Sequence, residues 1–405
     1  MKILVVCRHL PSPTWGAGTR NYYLLRALAR AHAVTLLALV DAADSTAAES
    51  DHAHGSWRLT PDVRLVSLPS ETRPRKRLGQ ARALLTGQSY QLLAAQWPAA
   101  QAALDDTLAQ RSFDVVLFES AMLAGYRLPP GLPALIDQHN LEYELLWRSY
   151  IRERDPLRRG YNWLEYRRFK PHELRRCRGA ALVVVTSERE RVLLQRLLPD
   201  TTIRVVPNGV DLCAYQSSGP EAEVAGRVVF TAALDYYPNI QAALFFARHC
   251  WPRIRQAEPA ATWQIVGRNP PAEVRRLARL PGISVTGSVA ATQPYLAAGA
   301  VAVAPMLIGG GTRLKILDAL AMRKAVVSTS LGCEGLDVVP DTHLLIADAP
   351  EALARAVVGL LRDSRRRATL GDAGRTLVEE RYSWDSCGAR LVQAVDELRL
   401  NGRPA

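Results

Sequence analysis

A chain of 405 residues and 44.6 kDa has room for two or three domains. With 48% hydrophobic and 22% charged residues it is neither disordered, collagenous nor a coiled coil as a whole. Lys and Arg number 51 against 39 Asp and Glu, a net charge of +12 with a pI near 9.7, which favours an anionic partner or surface.

The opening MKILVVC reads as a buried strand, because its apolar run is too short and wrongly flanked for a secretory signal. Further runs rich in Val, Ile and Leu at 33–39, 63–68, 114–118, 134–137, 181–186 and 203–206 alternate with amphipathic stretches, the pattern of βαβ units around a parallel sheet. The turn-rich Pro207-Asn208-Gly209-Val210-Asp211 and the polar residues to about Gly226 read as a linker. The alternation restarts at 228–231 and continues at 262–266, 283–286, 300–304, 325–328 and 343–346. Leu391, Val392, Val395 and Leu398 then give a last helix. The expectation is an α/β protein of two doubly wound Rossmann-like domains, 1–208 and 209–384, facing a central cleft, with 385–405 crossing back to the first. Ligands of such sheets bind at the carboxyl ends of the strands.

Six scattered cysteines without a Cys-x-x-Cys pair read as free thiols of a reducing compartment. The longest other apolar stretch, 295–308, is broken by Gly299 and Pro305 and falls short of a membrane span. A cytoplasmic protein is expected, peripheral at the inner membrane face. The charge supports that placement: between Arg148 and Arg178 lie eleven basic and four acidic residues, interleaved with Trp147, Tyr150, Tyr161, Trp163, Tyr166 and Phe169. A second cluster, Arg73, Arg75, Lys76 and Arg77, precedes it. No nucleic-acid module is recognisable.

The densest signal is Val303-Ala-Pro-Met-Leu-Ile-Gly-Gly-Gly-Thr-Arg-Leu-Lys-Ile-Leu-Asp318. Gly309, Gly310 and Gly311 let backbone approach a ligand. The helix expected from about Thr312 presents unpaired N–H groups, and Arg313 and Lys315 stand where a helix dipole disfavours cations unless an anion is held. This reads as a diphosphate cradle. In the first half, Gly16 and Gly18 precede a helix with Leu24, Leu25 and Leu28 on one face, and His139 and Glu119 follow strand ends.

Pro305–Gly335, the PNGVD turn at 207–211 and VFTAALDYYPNIQAALFF at 229–246 together resemble the family-4 glycosyltransferases of the GT-B fold, over nearly the whole chain. The resemblance implies a metal-independent, retaining transfer of a hexosyl group from a nucleotide-sugar donor to a glycan, lipid-linked or small-molecule acceptor, with no cofactor beyond the donor. It implies donor contacts at Gly16, Gly310, Gly311, Thr312, Arg313 and Lys315, a ribose contact at Asp318 and a catalytic-region histidine at His139. Weaker candidates are Gly18, Glu119, Gly267, Arg268 and Val289. Three positions depart from the family pattern: Gly310 replaces its first donor glutamate, and Ala233 and Asn239 stand about where it carries an Arg and a Lys. Arg313 and Lys315 are therefore expected to supply the missing charge. The departures leave open a non-catalytic GT-B subunit that binds a partner glycosyltransferase or a sugar.

Overall fold

Short β-branched runs become strands buried on both faces, as parallel sheets covered by helices require. The computed structural model describes residues 1–8, 10–13, 16–41, 59–60, 62–70, 72–216 and 223–400. The strands are β1 (Lys2–Cys7), β2 (Ala33–Asp41), β3 (Asp62–Leu68), β4 (Val115–Phe118), β5 (Ala134–Asp137), β6 (Leu182–Val185), β7 (Ile203–Val205), β8 (Arg227–Thr231), β9 (Thr262–Val266), β10 (Ile283–Val285), β11 (Val301–Ala304), β12 (Ala325–Ser328) and β13 (Leu345–Ile346). All pair in parallel, in two sheets of order β3-β2-β1-β4-β5-β6-β7 and β10-β9-β8-β11-β12-β13. Contacts divide the chain into two units, Met1–Pro207 with Cys387–Ala405, and Asn208–Ser386.

In the first unit every residue of β4 and β6 is buried, and β1 is buried from Ile3 onward. The helix Gly16–Ala31 buries Leu24, Leu25 and Leu28, and the terminal helix Trp384–Leu400 buries Cys387, Leu391 and Val395. The two helices touch where a Cβ on Gly388 would stand 2.5 Å from that of Ala27. Arg204 Nη2 to Glu397 Oε2, at 2.9 Å, fastens the terminal helix beside β7. The long helix Pro156–Gly179 carries two buried glutamates. Glu165 accepts from Ser89 Oγ (2.7 Å) and the N–H groups of Tyr90 (3.0 Å) and Gln91 (3.4 Å), capping the helix Tyr90–Ala95.

In the second unit, Phe230, Trp263, Phe246 and Leu353 centre one apolar cluster and Leu317, Leu320, Val326 and Leu377 another. β13 is shorter than the expected 343–346, because the Nδ1 of His343 accepts the N–H of Val339 (2.9 Å) in a turn that holds the chain out of the sheet until Leu345. The expected linker is only partly loose: Val210 bridges Ser383, and the Asp211 carboxylate accepts the N–H groups of Cys213 (2.9 Å) and Ala214 (3.0 Å); residues 217–222 lie outside the described ones.

Candidate functional site

In the second unit β11 ends in Pro305 and buried Met306, and the glycine loop follows. Gly309 and Gly311 have φ of 143° and 64°, values that favour glycine, so the helix starts at Leu314 rather than near Thr312. Arg313 is its extended N-cap residue and is 9% exposed. Its guanidinium Nη1 donates to the carbonyls of Gly310 and of Gly311 (2.7 Å), so that the side chain braces the loop from within. The amide of Asn208, in the PNGVD turn, donates to the Thr312 carbonyl (3.4 Å).

Lys315 lies in the first turn of Leu314–Ala321. Its ammonium donates to Asn239 Oδ1 (2.6 Å), contacts Met306 Sδ (3.7 Å) and stands 4.6 Å over the Phe230 ring. Burial, then the Arg313 charge, pushes its pKa down to about 7 against the pull of Asp318. The amide of Asn239 in turn donates to the Ala233 carbonyl (2.8 Å). Two of the three positions that depart from the family pattern, Ala233 and Asn239, are thus bonded to each other, and a cation from another helix is bonded to Asn239.

Asp318, one turn beyond Lys315, accepts from the Tyr215 hydroxyl, which is also 3.3 Å from Thr292 Oγ1. Burial lifts its carboxyl to about 7, opposed by Tyr215 and Lys315. Tyr215 and Thr292 lack any local motif, so the sequence held no signal for them.

Of the weaker candidates, Gly267 has a packing reason to be glycine, since a Cβ there would lie 1.6 Å from the Ala232 carbonyl oxygen. The neighbouring backbones are locked by Ala232 N to Val266 O (2.9 Å) and Leu234 N to Arg268 O (3.0 Å). Arg268 Nε lies 3.7 Å from Asp235 Oδ2, and half-buried Val289 packs on the second apolar cluster.

In the first unit β5 delivers Asp137, Gln138 and His139 in succession. His139 is 16% exposed in its side chain, with Nδ1 4.0 Å from Glu119 Oε1 and Nε2 3.4 Å from Asp137 Oδ2. Asp137 forms a buried fork with Arg20, Nη2 to Oδ1 at 2.6 Å and Nε to Oδ2 at 3.0 Å, and Arg20 Nη1 donates to the Pro207 carbonyl (3.2 Å). Burial resists the Asp137 charge, but Arg20 and His139 overcome it and hold the carboxyl well below the usual range. Glu119 is buried and accepts the N–H of Arg8 (2.6 Å). Glu119 and Asp137 also line a cavity of about 20 Å³, the space of one water.

The turn that carries His139 is held from below. Gln138 accepts the N–H of Ala121 (3.0 Å) and donates to Glu173 (2.7 Å), which also accepts from the N–H groups of Glu142 (3.0 Å) and Tyr143 (2.8 Å) at the start of the helix Glu142–Arg152. Burial, then Glu142, raises the Glu173 carboxyl to about 8 against these three donors. Gly16 opens the helix Gly16–Ala31, and the carbonyl of Gly18 accepts the N–H of Ser12 (3.0 Å). His9, Thr14 and Trp15 of that glycine segment lie outside the described residues. Arg20 escaped the sequence reading, although its spacing of four from Leu24 and eight from Leu28 puts it on the buried stripe of its helix.

A family model described as Glycosyltransferase Family 4 matches residues 15–214, and one described as Glycosyl transferases group 1 matches 225–363. The chain is 27% identical over 254 residues to the MMP α-(1→4)-mannosyltransferase of Mycolicibacterium hassiacum, an alignment spanning 60% of this chain and 59% of that relative's length. Among solved structures it resembles the sucrose-phosphate synthase of Thermosynechococcus elongatus, at 17% identity and a TM-score of 0.73, covering 99% of this chain and 100% of the other. It also resembles Anabaena HepE in complex with UDP-glucose, at 15% identity and a TM-score of 0.66, covering 98% and 100%. At these identities the likeness concerns the fold, which is GT-B.

Proposed function

The chain belongs to the family 4, group 1 glycosyltransferases, and on that footing we propose that its second unit binds the diphosphate of a nucleotide-sugar donor at Lys315 and the glycine loop. The observation that carries this reading is the Lys315 ammonium, held on Asn239 Oδ1 in the first turn of the helix that follows the glycine loop and desolvated there. A buried cation whose protonation is costly is stabilised by an arriving dianion, and loop N–H groups around Thr312 add donors. Arg313 serves by preordering the loop through the Gly310 and Gly311 carbonyls, and Asp318, oriented by Tyr215, accepts the ribose hydroxyls. Lys315 and the loop neutralise the leaving diphosphate, a task for which the reaction then needs no divalent metal or other cofactor.

In the first unit we assign His139 to orienting a substrate hydroxyl, with Asp137 and Glu119 fixing its ring. Retention of configuration, with the β-phosphate side taking the acceptor proton, follows the family resemblance. The acceptor is a glycan, a lipid-linked precursor or a small molecule. Among the described residues no helix is long and apolar enough to cross a membrane, and the reading places the protein in the cytoplasm with its basic segment 148–178 toward an anionic bilayer.

Thermal-shift titration with UDP, GDP, ADP and TDP and their sugars tests the donor site. A ligand at one hundred times its dissociation constant adds about 2.7 kcal/mol of stability. The expected result is a shift for one nucleotide that Lys315→Met abolishes; no shift with any of them would favour a non-catalytic GT-B subunit.

A further inference from the structure

Seven of the thirteen large hydrophobic side chains exposed among the described residues come from one stretch of the first unit, 78–163. The helix Arg73–Thr86 contributes most. Its ends are built deliberately: the Thr72 hydroxyl accepts the N–H of Arg75 (3.5 Å), and Gly87 stops it at φ 70°. Yet among its described side chains only Ala83 is fully buried, and a helix this short is marginal in water by itself. Helical geometry puts Pro74, Leu78, Ala81 and Leu85 along one line directed away from Ala83, with Arg75 and Arg82 on one flank and Arg77 on the other. Leu78 is 73% and Leu85 89% exposed, and the helix contains no acid.

The first half of Pro156–Gly179 runs beside it. Tyr161 bonds to Gln80, and Arg168 Nη1 donates to the carbonyls of Ala83 (3.0 Å) and Gln88 (3.1 Å). One turn earlier Leu157 is 84% exposed, next to Arg158 and Arg159. The acids just ahead of Pro156–Gly179 are bonded to local backbone: Glu153 accepts the N–H groups of Arg154 (2.8 Å) and Asp155 (3.0 Å), and Asp155 that of Arg158 (2.8 Å). Eight of the eleven basic residues at 148–178 are likewise exposed, and only part of the basic and aromatic content there is turned inward. Phe169 is buried, Lys170 lies over the Tyr143 and Tyr166 rings, and Arg148 pairs with Glu144.

We propose that Arg73–Thr86, with Leu157 and the arginines beside it, lies on the headgroups of an anionic bilayer, Leu78 and Leu85 reaching the acyl boundary while the arginines stay with the phosphates. Exposed leucines flanked by arginines, on a helix that contains no acid, complement a fluid anionic surface. This names the surface behind the membrane-facing part of the proposed function and rests on that part.

The test is flotation of the full chain with vesicles of phosphatidylcholine alone or with 30% phosphatidylglycerol, at low and high salt. Binding is expected only to the anionic vesicles and is expected to weaken with salt. Each basic residue at such a surface raises partitioning about five-fold, so Arg75→Glu/Arg77→Glu/Arg82→Glu should reduce it at least a hundred-fold, and Leu78→Ser/Leu85→Ser about ten-fold or more. All five side chains are exposed, so melting points should hold; the nucleotide-induced shift measured on the same samples separates failure of this surface from failure of the donor site. Equal binding to neutral vesicles, no binding at all, or binding untouched by both variants would overturn the proposal. So would a dimer in sedimentation that Leu78→Ser/Leu85→Ser dissolves in a chain that binds no vesicle, which would assign the face to a second copy.

Discussion

Replacing Asp137 by Asn tests the anchor beneath His139. In the wild type the Asp137 and Arg20 side chains are 5% and 2% exposed and meet in a two-point fork. The substitution keeps the shape and one acceptor oxygen but leaves the guanidinium with a buried, uncompensated charge. Removing one partner of a buried pair costs about 3–5 kcal/mol, and the retained acceptor argues for about 3. For a unit of this size each kcal/mol moves the melting point about 2–4 °C, so the calorimetric transition of the first unit should fall by about 6–12 °C. The pH dependence has a definite sign. Because the folded carboxyl is held below its ordinary value, the pair's contribution is complete above the unfolded pKa near 4 and is lost as pH falls toward the folded one. The gap between wild type and Asp137→Asn should therefore be constant from pH 7 to 5 and close below about pH 4. Arg20→Met/Asp137→Leu, which removes both charges, should recover most of the loss. A variant that melts with the wild type, or a gap that widens in acid, would refute the reasoning.

Lys315 and Asp318 shape the second unit's pH profile. Asp318, raised to about 7, binds a proton on folding and so makes stability fall between pH 4 and 7; Lys315, lowered to about 7, releases one and makes it rise between 7 and 10, each by up to about 1.4 kcal/mol per pH unit. Urea titrations should show a minimum near neutrality that Lys315→Met/Asp318→Asn removes. Diphosphate affinity, measured calorimetrically, should drop as pH rises above 7 in the wild type, up to ten-fold per unit, and be flat as well as weak in Lys315→Met. Tyr215→Phe should weaken nucleoside diphosphate binding by about five-fold and leave inorganic pyrophosphate binding unchanged, since its hydroxyl bonds Asp318 and Thr292 rather than Lys315 or the glycine loop. Gly267→Ala should destabilise the second unit by about 3 kcal/mol or more, because the new methyl meets the fixed Ala232 carbonyl; a normal melting curve would show that β8 can shift.

The central strands β1, β4, β6, β11 and β12 were legible because each is a short, largely apolar run, and burial on both faces leaves sequence little freedom there. The glycine loop was legible as a turn for a similar local reason, since Gly309 and Gly311 adopt backbone angles that favour glycine. The role of Arg313 was not, since a cation beside three glycines looks the same whether it meets a ligand or, as here, the carbonyls of Gly310 and Gly311. Nor were the partners that fix chemistry at a distance: Asn239 is 76 residues from Lys315, and Arg20 is 117 from Asp137. Such pairs leave no periodicity or spacing in a single sequence, because they arise only when neighbouring strands bring distant loops together. At Gly267, a strand-end glycine, the immediate demand is room for a backbone crossing, which a single sequence does not display.

Two buried carboxylates of one helix, Glu165 and Glu173, cap two other helices, at Tyr90 and at Glu142 and Tyr143. Eight residues apart, they are separated by about 12 Å along the axis and about 80° around it. One such tether would leave the helix Pro156–Gly179 free to roll; two at different azimuths fix both its height and its phase. Its arginines on the opposite side are thereby held at a constant bearing, like teeth on a keyed shaft, and a substitution that unkeys either glutamate would turn the charged edge as a whole.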